Sequence, residues 1–495
     1  MSIENCHENT QNIQHNGLQE LKSPLVKGQC KDVDYEDDEY GSETRDDSSI
    51  TMVLFSTCVA VCGSFIFGTC VGYSAPTQSA IRADLNLSLA QYSTFGSILT
   101  IGAMVGAVSS GRIADFSGRK QAMRMSACFC IMGWLAIYFA TGARSLEIGR
   151  LFSGYGIGVL SYVVPIFIAE ISPKGLRGGL TTLNQLMIVT GSSVSFLVGS
   201  IICWRALALT GLVPCITLLS GLFLVPESPR WLAKAGRKKE FMAALRILRG
   251  QNADISREAA EIEDYLMILE TLPKGSFLDL FQSKYIRAVI IGIGLMVFQQ
   301  CVGINGVGFY VSQTFVEAGL SSGKLGTIAY ATIQVPITLI GAILMDRSGR
   351  RPLIMISAMG TFFGCFIIAT GFFLKSYGLL VEWVPTLAVG GVLTYISAFS
   401  IGFGGVPWVI MSEIFPINVK GVAGSLVVLV NWSGAWLISY TYNFMMRWST
   451  FGTFYIYAAF CVLTILFVAK FVPETKGKTL EEIQESIRSK SEILE

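Results

Sequence analysis

Phe298-Gln299-Gln300-Cys301-Val302-Gly303-Ile304-Asn305 sits inside an apolar segment, Ala288 to Tyr310, long enough at ~1.5 Å per residue to cross a bilayer. Three carboxamides in hydrocarbon find no bulk water, so each needs a protein group, a cavity water or a ligand. Carboxamides offer both donors and acceptors, which is what a neutral polyhydroxylated ligand requires. On a regular helix Gln299, Gln300 and Asn305 would spread over about two thirds of the circumference. Gly303, Gly306 and Gly308 allow the helix to break, and a break would turn all three toward one cavity. The plainer reading is that they only bond this helix to its neighbours.

The surrounding chain sets the class. It is 495 residues long, 52% hydrophobic and 15% charged, which excludes an ordinary soluble domain. The twelve Cys form no Cys-x-x-Cys pair, and the only two His, His7 and His15, lie in the N-terminal tail. Metal binding and a cofactor are therefore not expected. A net charge of +2 gives no reason to expect nucleic acid. No His falls in an apolar span and no nucleotide-binding glycine loop is present, so an enzyme is not expected either.

Apolar segments recur near 51–76, 91–111, 121–142, 147–168, 178–200, 204–225, 287–312, 325–345, 353–374, 386–411, 421–443 and 452–472. The expected fold is an all-α membrane protein of twelve transmembrane helices, arranged as two six-helix bundles. Residues 1–49, with the run Lys31-Asp32-Val33-Asp34-Tyr35-Glu36-Asp37-Asp38-Glu39, read as a disordered acidic tail without a signal peptide. The bundles are expected over 50–232 and 287–472, with amphipathic linker helices over 233–286 and a second tail over 473–495. Basic residues gather in the loops after even-numbered spans: Arg112, Arg119 and Lys120, then Arg177, Arg230 and Lys234, then Arg347, Arg350 and Arg351, then Lys420. That asymmetry puts both termini in the cytoplasm.

The halves repeat each other. Asp115-Phe-Ser-Gly-Arg119-Lys follows the second span, and Asp346-Arg-Ser-Gly-Arg350-Arg follows the eighth. Glu170 and Glu413 end the fourth and tenth, with Arg177 and Lys420 seven residues beyond each. Pro226-Glu227-Ser228-Pro229-Arg230 and Pro473-Glu474-Thr475-Lys476-Gly477 close the two halves. Two bundles related by duplication imply a central site between them, served by rocking. The paired acids and cations read as ion pairs between the bundles that hold the cytoplasmic side shut when the outer side is open. Positive-inside anchoring alone explains the cations but not the acids.

GRIADFSGRK at 111–120, PIFIAEISPKGLRG at 165–178, PESPRWL at 226–232, QQCVGIN at 299–305 and PETKGKTLEEI at 473–483 closely resemble the sugar porters of the major facilitator superfamily. FGTCVGYSAPTQ at 67–78 looks most like the plant dehydration-induced branch, associated with vacuolar or plasma membranes. The resemblance implies a hexose-binding cavity lined by Gln185, Gln299, Gln300, Asn305, Gln334, Trp408, Asn431 and Trp432. Amides for hydroxyls and an aromatic face for the ring are the side chains such a ligand calls for. Gly402, Gly404, Gly405 and Pro407 would break the tenth helix beside that cavity.

The chain also departs from the family pattern. Phe116 replaces an Arg, Phe309 a Tyr, and Ser400 a common acid. Proton-coupled members carry an Asp in the first span opposite an Arg of the fourth; here those positions are Cys70 and Arg150. A buried guanidinium needs compensation, and Glu147, three residues earlier, is the candidate. A buried thiol is a poor proton carrier at neutral pH, so facilitated diffusion of a monosaccharide such as glucose or fructose is the simpler expectation. Proton coupling, polyol or inositol transport, and a sugar receptor on the same fold are the alternatives. The expected partners are a small-molecule sugar and the lipid bilayer.

Overall fold

The computed structural model describes residues 50–173, 175–251, 253–271, 277–321, 323–416, 419–478 and 482–483, and among them no strand occurs. The tail expected over 1–49 lies outside the described residues. The first group of helices comprises α1 (Thr51–Gly72), α2 (Ser74–Asp84), α3 (Leu89–Ser117), α4 (Arg119–Tyr138), α5 (Ala143–Ile171), α6 (Arg177–Gly199), α7 (Trp204–Thr210) and α8 (Leu212–Leu224). Three short helices follow: α9 (Pro229–Lys234), α10 (Lys238–Arg249) and α11 (Ser256–Thr271). The second group is α12 (Ser283–Cys301), α13 (Ile304–Glu317), α14 (Lys324–Ser348), α15 (Arg350–Ser376), α16 (Val384–Ala398), α17 (Val406–Ile414), α18 (Lys420–Trp448) and α19 (Thr450–Phe471).

Eleven stretches among the described residues are long and apolar enough to cross a bilayer. The third expected span, near 121–142, is α4, which is not among those eleven and carries Arg119, Lys120 and Arg124 in its first two turns. These cations are accommodated at the helix end. Arg124 Nη2 donates to Leu222 O at 3.0 Å with its guanidinium over the Phe223 ring, and Lys120 Nζ donates to Val225 O at 2.5 Å. The rest of α4 buries Ala127, Cys130 and Trp134 against α5, α7 and α8.

Within the first group, α5 packs against α3 and α4, and α1 against α6; within the second, α15 packs against α16 and α19. The groups meet along two main seams, α3 with α18 and α6 with α14, and again where α2 touches α13. The linker helices dock on the first group. On α10, Phe241, Ala244, Leu245 and Leu248 fall on one buried face while its lysines face water. Arg249 Nη1 donates to Ile171 O, the end of α5, at 3.0 Å and pairs bidentately with Glu258 at 2.8 and 2.7 Å.

The sequence repeat has a structural counterpart at this end. Gly118 and Gly349 take φ of +92° and +91°, which turns the chain tightly into α4 and α15. A β-carbon on either would meet Glu227 or Glu474 at 2.7 or 2.9 Å. Those carboxylates take the first N–H groups of the two helices. Lys120 N donates to Glu227 at 3.2 Å; Arg350 N and Arg351 N donate to Glu474 at 3.1 and 3.0 Å. Burial pushes the Glu227 carboxyl above the ordinary glutamate value, and the N–H groups of Ser228 and Lys120 offset only part of that. Burial acts on Glu474 too, but the N–H groups of Lys476, Arg350, Arg351 and Thr475 outweigh it and hold that carboxyl below the ordinary value.

Candidate functional site

Two interrupted helices define the site. The first break falls where the glycines allow it. Gly303, at φ +95°, separates α12 from α13, and a β-carbon there would sit 2.6 Å from the Tyr457 ring. The second separates α16 from α17: a π turn at Phe399–Phe403 leads through Gly404 and Gly405 to Pro407. Both breaks release backbone carbonyls inside the protein. Tyr395 OH donates to Val302 O at 3.1 Å at the first. Gln299 Nε2 donates to Phe403 O at 2.6 Å and Gly404 O at 3.4 Å at the second.

The break in α12–α13 turns Asn305 back toward Gln300. Asn305 Nδ2 donates to Gln300 Oε1 at 2.5 Å, and Gln300 Nε2 donates to Asn431 Oδ1 at 2.7 Å, so three carboxamides from α13, α12 and α18 form one chain. Gln299, on the other side of α12, joins the π turn instead. The remaining expected site residues are not bonded to this chain. Gln185 on α6 is part-buried without a protein hydrogen bond among the described residues. Gln334 on α14 keeps a buried Oε1 with no protein partner. Trp408 on α17 packs against the core of the second group, and Trp432 lies 5.8 Å from the Phe67 ring across the seam. One polar neighbour escaped the sequence reading: Asn184 accepts from Ser64 Oγ at 2.7 Å. A Ser–Asn pair 120 residues apart carries no local signal.

Arg150 is fully buried, and its compensation differs from the expectation. Its guanidinium crosses to the α1–α2 junction, donating to Cys70 O at 2.6 Å and Ser74 Oγ at 2.5 Å. The Phe95 and Tyr73 rings lie 4.7 and 5.0 Å from it. Glu147, expected to neutralise it, is part-buried and makes no ion pair with Arg150. The guanidinium reaches away from α5 toward α1, and a carbonyl, a hydroxyl and two ring faces take the place of a carboxylate.

The charged cluster at the linker end is bonded within each half. Arg119 binds Glu170 through two bonds of 2.9 Å, and Asp115 at 3.1 Å. Ser228 Oγ donates to Glu170 at 2.5 Å and Lys234 pairs with Asp115 at 3.0 Å. In the second group Arg350 pairs with Glu413 at 3.3 Å, and Glu413 Oε2 is buried without a partner. The Arg119 and Arg350 pairs each lie within one group of helices, and Lys234 reaches Asp115 from α9; ion pairs between the groups are the expectation for the state open on the side away from the linker. The glycine turn sends Arg119 straight back along its own bundle, where the end of α5 presents the nearest acid. Arg177 pairs with neither acid, its Nε being buried without a partner, and Lys420 donates to Ser412 O at 2.8 Å. The side chain of Asp346 lies outside the described residues.

Contacts between the groups lie farther from the linker. Asn443 Nδ2 donates to Ser93 Oγ at 2.9 Å, near the start of α3 and the end of α18. Tyr310, stacked on Tyr442 at 5.4 Å, meets Tyr92 at 6.4 Å, and Phe196 meets Tyr330 at 5.5 Å. The protein is therefore shut on the side away from the linker. Among the described residues no ion pair joins the two groups.

The sugar (and other) transporter family matches residues 35–487. Sugar transporter ERD6-like 16 of Arabidopsis thaliana is 70% identical over 473 residues, covering 96% of each chain. Sugar transporter ERD6-like 7 of the same plant is 61% identical over 433 residues, 88% of this chain and 93% of its own. Among solved structures, the proton:xylose symporter XylE bound to 6-bromo-6-deoxy-D-glucose superposes with a TM-score of 0.73. It shares 28% identity, covering 88% of this chain and 99% of its own. An inward-open form of XylE from E. coli gives a TM-score of 0.74, again at 28% identity.

Proposed function

The chain belongs to the sugar transporter family, and on that premise we propose that it carries monosaccharides across a membrane by alternating access to a site between its two halves, 50–232 and 287–472. The observation that carries this reading is the set of neutral amides from both halves, with no ionised side chain among them. Gln300, Asn305 and Asn431 form a pre-bonded chain, while Gln185 and the buried oxygen of Gln334 are left unmatched by protein. A sugar hydroxyl donating to Gln334 Oε1 would meet an acceptor already stripped of water. Gln299 ties this set to the π turn, so a hydroxyl that draws on Gln299 also pulls on the hinge at Phe403. Trp408 and Trp432 supply ring faces for the C–H side of a pyranose.

The mode of transport in this reading is facilitated diffusion. Arg150 already has its partners in the Cys70 carbonyl and the Ser74 hydroxyl, groups that do not titrate at physiological pH. Among the described residues no carboxylate pairs with that guanidinium whose protonation would switch it. The ion pairs at the linker end hold helix ends in place within each half, and the linker side, with the termini, faces the cytoplasm according to the distribution of basic residues. The membrane is vacuolar or plasma, in keeping with the branch resemblance. Uptake of labelled glucose, fructose, xylitol and inositol into a hexose-transport-deficient cell, at acidic and neutral pH, tests these points together. Hexose uptake that ignores pH is the expected result. Uptake confined to inositol or xylitol would move the reading to a polyol carrier, and accumulation driven by a pH gradient would overturn facilitated diffusion.

A further inference from the structure

Near the ends opposite the linker the halves touch through polar side chains that the proposed sugar site does not use. Gln78 on α2 is 4% exposed, and its Nε2 donates to Oε1 of Gln313 on α13, a bond from one half to the other. Gln313 Nε2 donates in turn to Glu317 Oε1, one turn on, at 2.7 Å. Lys375 of α15 donates to the backbone carbonyl of Glu317, pinning the end of α13. An ionised carboxylate only accepts, so Glu317 decides the polarity of the row: Gln313 turns its NH2 to Glu317 and its oxygen to Gln78. Gln78 Oε1 is then left buried without a partner.

We propose that Gln78, Gln313 and Glu317 form a latch that closes the side away from the linker, with Glu317 orienting the amide that crosses between the halves. The inference rests on reading the chain as an alternating-access carrier. A latch suited to that cycle must be weak enough to release at every turn. The unmet acceptor on Gln78 has this effect, because it offsets part of what the crossing bond contributes. The Asn443–Ser93 bond also joins the halves, so the latch biases closure without being its sole support.

The test is a distance measurement across that side. Spin labels are placed on Ala83→Cys in α2 and Val381→Cys before α16, with Cys6, Cys30 and the exposed Cys58, Cys128 and Cys203 replaced by Ser, in protein held in lipid nanodiscs. The otherwise unmodified protein is expected to show one dominant short distance. Gln78→Leu and Gln313→Leu are expected to raise the longer-distance population about three- to tenfold, the effect of losing one net hydrogen bond. Glu317→Gln, which keeps an acceptor, should match the unmodified protein, whereas Glu317→Leu should behave like Gln313→Leu. Leucine variants whose distributions match the unmodified protein would overturn the latch. The distances are recorded without sugar, so that failure is separate from a failure of hexose counterflow, which would strike the carrier reading itself.

Discussion

Gln300 holds two other carboxamides in register, accepting from Asn305 and donating to Asn431. Gln300→Ala removes both bonds and leaves buried Asn431 and part-buried Asn305 free to turn away. Hexose affinity is expected to fall about tenfold or more, at about 1 kcal/mol per neutral bond, with membrane insertion unchanged; counterflow at varied sugar concentration measures it. Gln334 separates binding from packing more sharply. Its Oε1 is buried and unmatched, so Gln334→Leu should stabilise the empty protein by about 1 kcal/mol while weakening hexose binding about tenfold. A purely structural amide would not give opposite signs in thermal unfolding and in sugar affinity. At Cys70 the expectation concerns coupling. Cys70→Asp puts a carboxylate next to Arg150, and counterflow in that variant should become pH-dependent where the unmodified protein is not.

At the scale of elements, the break between α12 and α13 depends on one residue. Gly303→Ala combines φ of +95° with a β-carbon 2.6 Å from Tyr457, and should lower stability by ~2 kcal/mol or more. Gly405→Ala at the other break meets nothing within 4 Å and is expected to be tolerated. Yields of monodisperse protein after heating compare the two. The carboxylate caps of α4 and α15 differ in the sign of their pH dependence. Glu474 is held below its ordinary value of 4.5, so its contribution is present at neutral pH and is lost as pH falls from that value through the lowered one. Glu227 is raised above 4.5, so the folded state prefers it protonated, and stability falls as pH rises from the ordinary value to the raised one. At neutral pH Glu474→Gln should therefore destabilise more than Glu227→Gln, and acidification should narrow the gap.

Across the whole molecule, hydropathy and the duplicated motifs made the helical pattern legible, because length and polarity are local properties. The helix at Arg119–Tyr138 was legible too, even though it opens on three cations and is less apolar than the other spans. The glycine clusters pointed to both helix breaks. What stayed hidden were partners supplied by the backbone: nothing in the sequence marks Phe403 O as the acceptor for Gln299, or Cys70 O as the acceptor for Arg150. Choosing between Glu170 in the same half and an acid in the other half for Arg119 likewise needed the path of the chain after Gly118. Gln78 and Gln313 were passed over because a lone Gln at a span end has no pattern until the halves are assembled. On the proposed function, this assembly lets a neutral sugar equilibrate between two compartments. Purified protein in sealed liposomes, given labelled glucose or fructose with and without a pH gradient, tests it most directly. The label is expected to enter faster than in protein-free liposomes and to stop at equal concentrations in both conditions; entry no faster than the protein-free rate, or accumulation above the outside concentration when the gradient is present, would overturn facilitated diffusion.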